Sequence, residues 1–233
     1  MTDDTAAADF EKRLVALATA EQRQKYTRYF PGDDSFIGVR MGDVFALAGR
    51  AIAMPVPGIE TLLESPIHEV RAGACSIMGK AATHRKAGVE RREELYELYL
   101  RRHDRIDTWD LVDLGAHQVV GGWLVDKPRD PLYVLAASSF WPERRTAMVA
   151  TAAFLRRGEI TDTLQLARIL GADENDFVQK AAGWMLRYLG DVDRDALLGF
   201  LDQNAAGLPR LTLRAATEKL DKPLRAHYLS REP

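Results

Sequence analysis

Three stretches of this 233-residue chain gather residue types that could do chemistry together. The first is Thr108-Trp109-Asp110-Leu111-Val112-Asp113. Trp109 and Asp113 are four apart, so a helix stacks them on one face, with Asp110 as its N-terminal partner or cap. The second is Trp141-Pro142-Glu143-Arg144-Arg145, where Pro142 suits a helix's first turn and Arg144-Arg145 follow inside it. The third runs from Asp176 to Arg187 and sets Lys180, Trp184 and Arg187 on one face by a 4-then-3 spacing. A carboxylate with two indole faces favours positive charge. Arginines beside them clamp anions such as phosphate. The competing account of each residue is plainer. A tryptophan on a helix is more often core, a lone aspartate more often a surface ion pair, and a run such as Arg101-Arg102 more often a solvated face.

The elements that must position these residues read as helices almost throughout. Apolar and aromatic residues at Phe10, Leu14, Leu17 and Ala18, then Tyr26 and Tyr29, mark one helical run over 9–29, closed by the turn Pro31-Gly32-Asp33-Asp34. Further helices are expected at about 42–53, 59–65, 67–86, 90–104, 109–124, 130–138, 142–157, 161–170, 174–189, 193–204, 208–220 and 223–230. Clusters of Pro, Gly and Asp separate them, as at Pro55-Val56-Pro57-Gly58, Gly171-Ala172-Asp173 and Gly190-Asp191. Val39 and Val119-Val120 are too isolated to make strands. The fold class is all-α.

Several helices share a local pattern. Arg71-Ala72-Gly73, Arg145-Thr146-Ala147, Lys180-Ala181-Ala182 and Arg214-Ala215-Ala216 each place a small residue two positions after a basic one. Asp113-Leu114-Gly115 repeats this with the charge reversed, and the anchors 71, 113, 145, 180 and 214 step by 32 to 42 residues. That period suits helix pairs stacked as a HEAT-like solenoid. The small residue would let neighbouring helices approach, and the charged one, turned about 200° away, would face the open side. The row then lines one concave surface, mostly basic, with Lys80, Arg85, Lys86, Arg91, Arg92, Arg101, Arg102, Arg105, Arg144, Arg156, Arg157 and Arg187 nearby. Such a groove suits a polyanion, duplex DNA above all. The organisation expected is a single domain over 1–233, with N-terminal capping helices at about 9–53 and repeats at about 59–230.

Composition bounds the rest. Lys and Arg number 32 against 34 Asp and Glu, a net charge of −2, so a uniformly basic DNA-coating protein is excluded. With Cys75 as the single cysteine there is no disulfide framework or multi-cysteine zinc site. In an Ala/Gly-rich helix it is expected to be buried. His68, His84, His103, His117 and His227 show no metal-ligand spacing. His117, one turn after Asp113, either hydrogen-bonds to it or is a plain surface histidine. No apolar run approaches the ~18 residues of a membrane span, and the acidic N-terminus has no signal-peptide layout.

W-D-x-x-D, then W-x-x-R-R, then F-V-x-K-x-x-G-W-x-L-R, in this order and at these separations, resemble the AlkD-type DNA alkylation repair family of bacterial alkylpurine DNA glycosylases. Phe36-Ile37-Gly38-Val39-Arg40 and His68-Glu69-Val70-Arg71 are similar to its N-terminal pattern, and the likeness spans about residues 25–215. The chain departs from the family after Arg40. Gly42-Asp43-Val44-Phe45 stands where a proline and a leucine-arginine are usual. The resemblance implies excision of N3- and N7-alkylated purines from duplex DNA without metal or cofactor. It implies Trp109, Asp113 and Trp184 in the catalytic cleft, and Arg145 and Arg187 on DNA. Lys180, Arg71 and Arg214 join them as DNA contacts from the basic row, and Arg144 from beside it. Lys180 as a Schiff-base nucleophile is the lesser reading, since a phosphate contact explains it. The chain is expected to work as a monomer in the cytoplasm, associated with the nucleoid. A non-catalytic HEAT-like DNA-binding protein and a HEAT scaffold for protein partners are the alternatives.

Overall fold

A computed structural model describes residues 3–29 and 35–231. The turn expected at Pro31–Asp34 lies outside the described residues. Among these residues every regular element is helical, an all-α helical repeat fold as the periodicity predicts. Contacts divide the chain into two compact units, Met1–Val119 and Val120–Pro233.

The first unit contains α1 (Asp3–Val15), α2 (Ala20–Tyr29), α3 (Met41–Arg50), α4 (Val56–Leu63), α5 (His68–Thr83), α6 (Val89–Arg101) and α7 (Trp109–Gly115). A short 3-10 turn at His103–Arg105 leads towards α7, and a π-helical turn at Ala116–Gly121 continues from it. α5 is the hub, packed on α3, α4, α6 and α7. Its residues from His68 to Gly79 are all buried. Small side chains make this possible: a Cβ on Gly73 would lie 2.6 Å from the Phe10 ring, and one on Gly115 2.7 Å from the Tyr99 ring. Both glycines are the small residues of the repeat pattern, so that part of the sequence reading holds. Cys75 is fully buried there, and burial pushes its thiol up. Leu14, Leu62, Ile77, Met78, Leu95, Leu98 and Tyr99 fill the surrounding core, each aliphatic side chain worth about 1.5–3 kcal/mol of transfer from water.

The expected single helix over 9–29 is two. α1 ends at Val15 and α2 restarts at Ala20. Thr19 explains the break: its hydroxyl accepts from the Gln22 N–H at 3.3 Å, and its own N–H donates to the Gly38 carbonyl at 2.9 Å. Thr19-Ala20-Glu21-Gln22 is the capping-box pattern, which apolar periodicity alone passes over.

The second unit contains α8 (Gly122–Leu124), α9 (Asp130–Ala136), α10 (Trp141–Ala150), α11 (Ala152–Leu155), α12 (Thr161–Leu170), α13 (Asp176–Val192), α14 (Arg194–Asn204), α15 (Arg210–Ala216) and α16 (Lys222–Leu229). α13 is its hub, packed on α10, α12, α14 and α15. Side-chain caps set the helix starts. Asn175 accepts from the Phe177 N–H, Asp193 from Ala196 and Asp221 from Leu224. Ala147, Ala182 and Ala216, the small residues of the pattern, are buried between helices.

Within each unit, ion pairs link one repeat to the next. Arg71 reaches Asp107, 36 residues on, and Arg129 reaches Asp162, 33 on. Arg144 reaches Asp173, 29 on, and Arg187 reaches Glu218, 31 on. These separations run from 29 to 36 residues, near the lower end of the spacing between the sequence anchors.

Candidate active site

In the first unit, α7 carries Trp109 as its first residue and Asp113 one turn later. Leu111 and Val112 between them are fully buried, so the helix turns its apolar side inward. Trp109 is 36% exposed and Asp113 half-buried. Trp109 therefore lies at the edge of the core, not inside it. Asp110 is not the cap that the spacing allowed. The N-cap is Thr108, whose hydroxyl donates to Asp110 Oδ1 at 2.7 Å. Asp110 Oδ2 lies 2.6 Å from His68 Nε2. Burial pushes the Asp110 carboxyl up, and the hydrogen bond and charge of His68, with the Thr108 hydroxyl, outweigh it, leaving it below the ordinary carboxylate range. His117 is half-buried in the π-helical turn.

The two N-terminal motifs meet here. Glu69 is fully buried, and its carboxylate accepts from the backbone N–H groups of Ile37, Gly38 and Val39 at 3.1, 2.8 and 3.1 Å. Gly38 has φ +95, and a Cβ on it would stand 2.2 Å from the Thr19 carbonyl oxygen. The Phe36 ring stacks on His68 with centroids 4.2 Å apart, and Tyr26 donates its hydroxyl proton to the Val39 carbonyl at 2.8 Å. Sequence reasoning noted these motifs by resemblance but gave His68, Glu69 and Asp110 no joint task. Pairs 30 to 42 residues apart leave no local signal.

The expectation for Arg71 is corrected. It is 7% exposed, and Nη1 donates to Asp107 Oδ1 at 2.7 Å and to the Arg105 carbonyl at 3.2 Å. A buried guanidinium must be paired, and this one fastens the segment leading into α7 instead of facing the open side.

In the second unit, α13 turns an outward stripe of Lys180, Trp184 and Arg187 from between buried Val178, Ala181, Ala182, Met185 and Leu186. Lys180 is exposed, with its ammonium 5.0 Å from the Phe177 ring centroid. Trp184 is half-buried, and Arg187 is half-buried and paired with Glu218. Arg214 is exposed on α15. Arg145 is 4% exposed and donates from Nη1 to the Phe177 carbonyl, while Trp141 stacks on the Phe177 ring with centroids 5.3 Å apart. Arg144 is bidentate on Asp173, at 2.7 and 2.9 Å, and also donates to the carbonyls of Ser138 and Ser139. Arg144 and Arg145 are therefore buried braces in this structure, against the expectation that the charged residue of each pattern faces outward. Rotation along one helix cannot reveal the carboxylate or carbonyl that the next repeat supplies.

Much of the expected surrounding positive charge is likewise engaged. Arg101 and Arg102 pair with Glu60, Arg105 bonds the Leu63 and Glu64 carbonyls, and Arg157 pairs with Asp126. Arg85, Lys86, Arg92 and Arg156 are exposed. Among the described residues, no group of three His, Cys, Asp or Glu could hold a metal ion, and no helix is long and apolar enough to cross a membrane.

No curated protein matches the chain. The family model described as DNA alkylation repair enzyme matches residues 10–220, covering both hub helices and every motif above. The chain belongs to the DNA alkylation repair enzyme family.

Proposed function

We propose that the protein is a monofunctional DNA glycosylase that hydrolyses the N-glycosidic bond of cationic N3- or N7-alkylated purines in duplex DNA, the first step of base excision repair. The observation that carries this reading is α7: a solvent-facing Trp109 one turn from Asp113, on a helix otherwise turned to the core.

An N3- or N7-alkylated purine already bears positive charge and departs as a neutral base, so it needs no strong acid. The deoxyribose it leaves develops oxocarbenium charge. The Asp113 carboxylate stabilises that cation and orients or deprotonates the attacking water. The indole face of Trp109, on the same helix, favours the same charge through its π cloud. Exposed Lys180 and Arg214 supply phosphate contacts, with Arg187 joining them if it exchanges Glu218 for a phosphate. Arg71, Arg144 and Arg145 act on DNA only through the segments they brace.

The test is incubation of the purified chain with duplex DNA bearing N7-methylguanine, with a chelator present and no cofactor added. Free base and abasic sites should accumulate together. Activity abolished by the chelator, or release of only neutral bases such as uracil, refutes this mechanism. DNA binding without base release selects the non-catalytic reading.

A further inference from the structure

The first turn of α7 is held from the side by a buried histidine that has no part in the chemistry above. His68 opens α5 and is fully buried. Its backbone N–H donates to the Ser35 carbonyl at 3.0 Å, and its ring stacks on Phe36 at an interplanar angle of 28°. Main chain and ring plane are thus both fixed, and the Nε2 atom 2.6 Å from Asp110 Oδ2 has a rigid support behind it. Asp110 lies in the first turn of α7, between Trp109 and Asp113. Its other oxygen is engaged by the Thr108 hydroxyl, so the carboxylate ties the N-cap and the first turn to α5.

We propose that His68 is a positioning residue for the excision site: through Asp110 it fixes the direction of the first turn of α7, and with it the Trp109 ring and the Asp113 carboxylate. The inference rests on reading Trp109 and Asp113 as the catalytic pair. Two further observations favour it. Helix first turns are the least constrained part of a helix, because their N–H groups have no intrahelical partner, and Trp109 is the very first residue of this one. Arg71, one turn along α5 from His68, grips Asp107 and the Arg105 carbonyl on the lead-in segment. Two side chains of one helix therefore hold both the approach and the first turn. Thr108, at the N-cap position, makes no side-chain cap to an α7 N–H group, and its hydroxyl donates to Asp110 instead, so the hold on this first turn runs through Asp110. His68-Glu69 also couples this hold to the loop of residues 36–39, so three separated sequence motifs share one anchorage.

The experiment compares His68→Leu, which removes the bond, His68→Asn, which is too short to reach Asp110, and His68→Gln, whose amide nitrogen falls near the place of Nε2. Each full-length variant is labelled with 5-fluorotryptophan, and the Trp109 fluorine signal is assigned with Trp109→Phe. His68→Leu and His68→Asn should shift or broaden the Trp109 signal while leaving those of Trp141 and Trp184 in place. They should slow single-turnover excision of N7-methylguanine about 10- to 100-fold, the scale of a group misplaced by about an ångström, with DNA Kd unchanged. His68→Gln should restore both signal and rate. A folded His68→Asn with an unmoved Trp109 signal and a wild-type rate overturns the proposal, as does failure of His68→Gln to restore either. If the wild-type chain excises no alkylated purine while the fluorine signals respond as stated, the glycosylase reading falls and the positioning role stands.

Discussion

The Arg144–Asp173 pair gives the sharpest test of the division between braces and DNA contacts. The side chains are 10% and 7% exposed, and the bidentate geometry, 2.7 and 2.9 Å, leaves little room for either to turn away. Asp173→Ala strands a guanidinium that has lost two charge-assisted bonds. Removing one partner of a buried pair costs about 3–5 kcal/mol. Nη1 keeps the Ser138 and Ser139 carbonyls at 3.0 and 3.1 Å, so the desolvation left uncompensated is partial and about 3 kcal/mol is the appropriate end of that range. That is roughly a hundred-fold change in the folding equilibrium. Urea unfolding followed by circular dichroism measures it directly. Arg144→Leu should cost less than Asp173→Ala, since leucine tolerates burial. The double variant Arg144→Leu/Asp173→Ala should recover part of the Asp173→Ala loss. In parallel, Arg144→Leu should leave the slope of log Kd against log salt for duplex DNA unchanged, because a residue facing a carboxylate releases no counterions from phosphate. Unaltered stability in Asp173→Ala, together with a salt slope shallower by about one contact in Arg144→Leu, would refute the brace and return Arg144 to the phosphate backbone.

Three other outcomes are expected. Asp113→Asn should lower the single-turnover excision rate roughly 10²- to 10³-fold with little change in Kd, because only the transition state carries the positive charge; wild-type rates from the folded variant remove Asp113 from the mechanism. Lys180→Ala and Arg214→Ala, both exposed in the structure, should each weaken damaged and undamaged duplex alike and make the salt slope shallower by about one contact, as read by a titration series. Asp110 is held below the ordinary carboxylate range, so its contribution to stability is complete above that range and is lost as pH falls through the lowered value. Acid unfolding should accordingly show a smaller stability difference between wild type and Asp110→Asn as pH falls below about 4, and a constant difference down to the lowest folded pH contradicts this.

Most helices, and the small residues where they meet, were legible because they depend on patterns local to the chain. Turn clusters at Gly171-Ala172-Asp173 and Gly190-Asp191 mark real ends or near-ends of α12 and α13, and Gly73, Gly115, Ala147, Ala182 and Ala216 do sit where helices meet. The outward stripe of Lys180, Trp184 and Arg187 followed from spacing alone. What stayed hidden was supplied from a distance. The burial of Arg71 and Arg145 depends on Asp107 and on the Phe177 carbonyl, which a single helix's rotation does not contain. The π-helical turn at Ala116–Gly121 interrupts a stretch that reads as continuous helix, and side-chain type gives no warning of it. Asp110 looked like a cap because aspartate before an apolar run usually is one. Its attachment to His68, 42 residues earlier, is a tertiary fact.

Glu69 holds the loop of residues 37–39 by main-chain N–H groups alone, and Gly38 supplies the one backbone angle the loop requires. The path of the loop is therefore independent of what its outward side chains are. Half-buried Ile37 and exposed Arg40 can be exchanged without redrawing it. This makes the segment a natural grafting point, where lettering changes while the frame is kept.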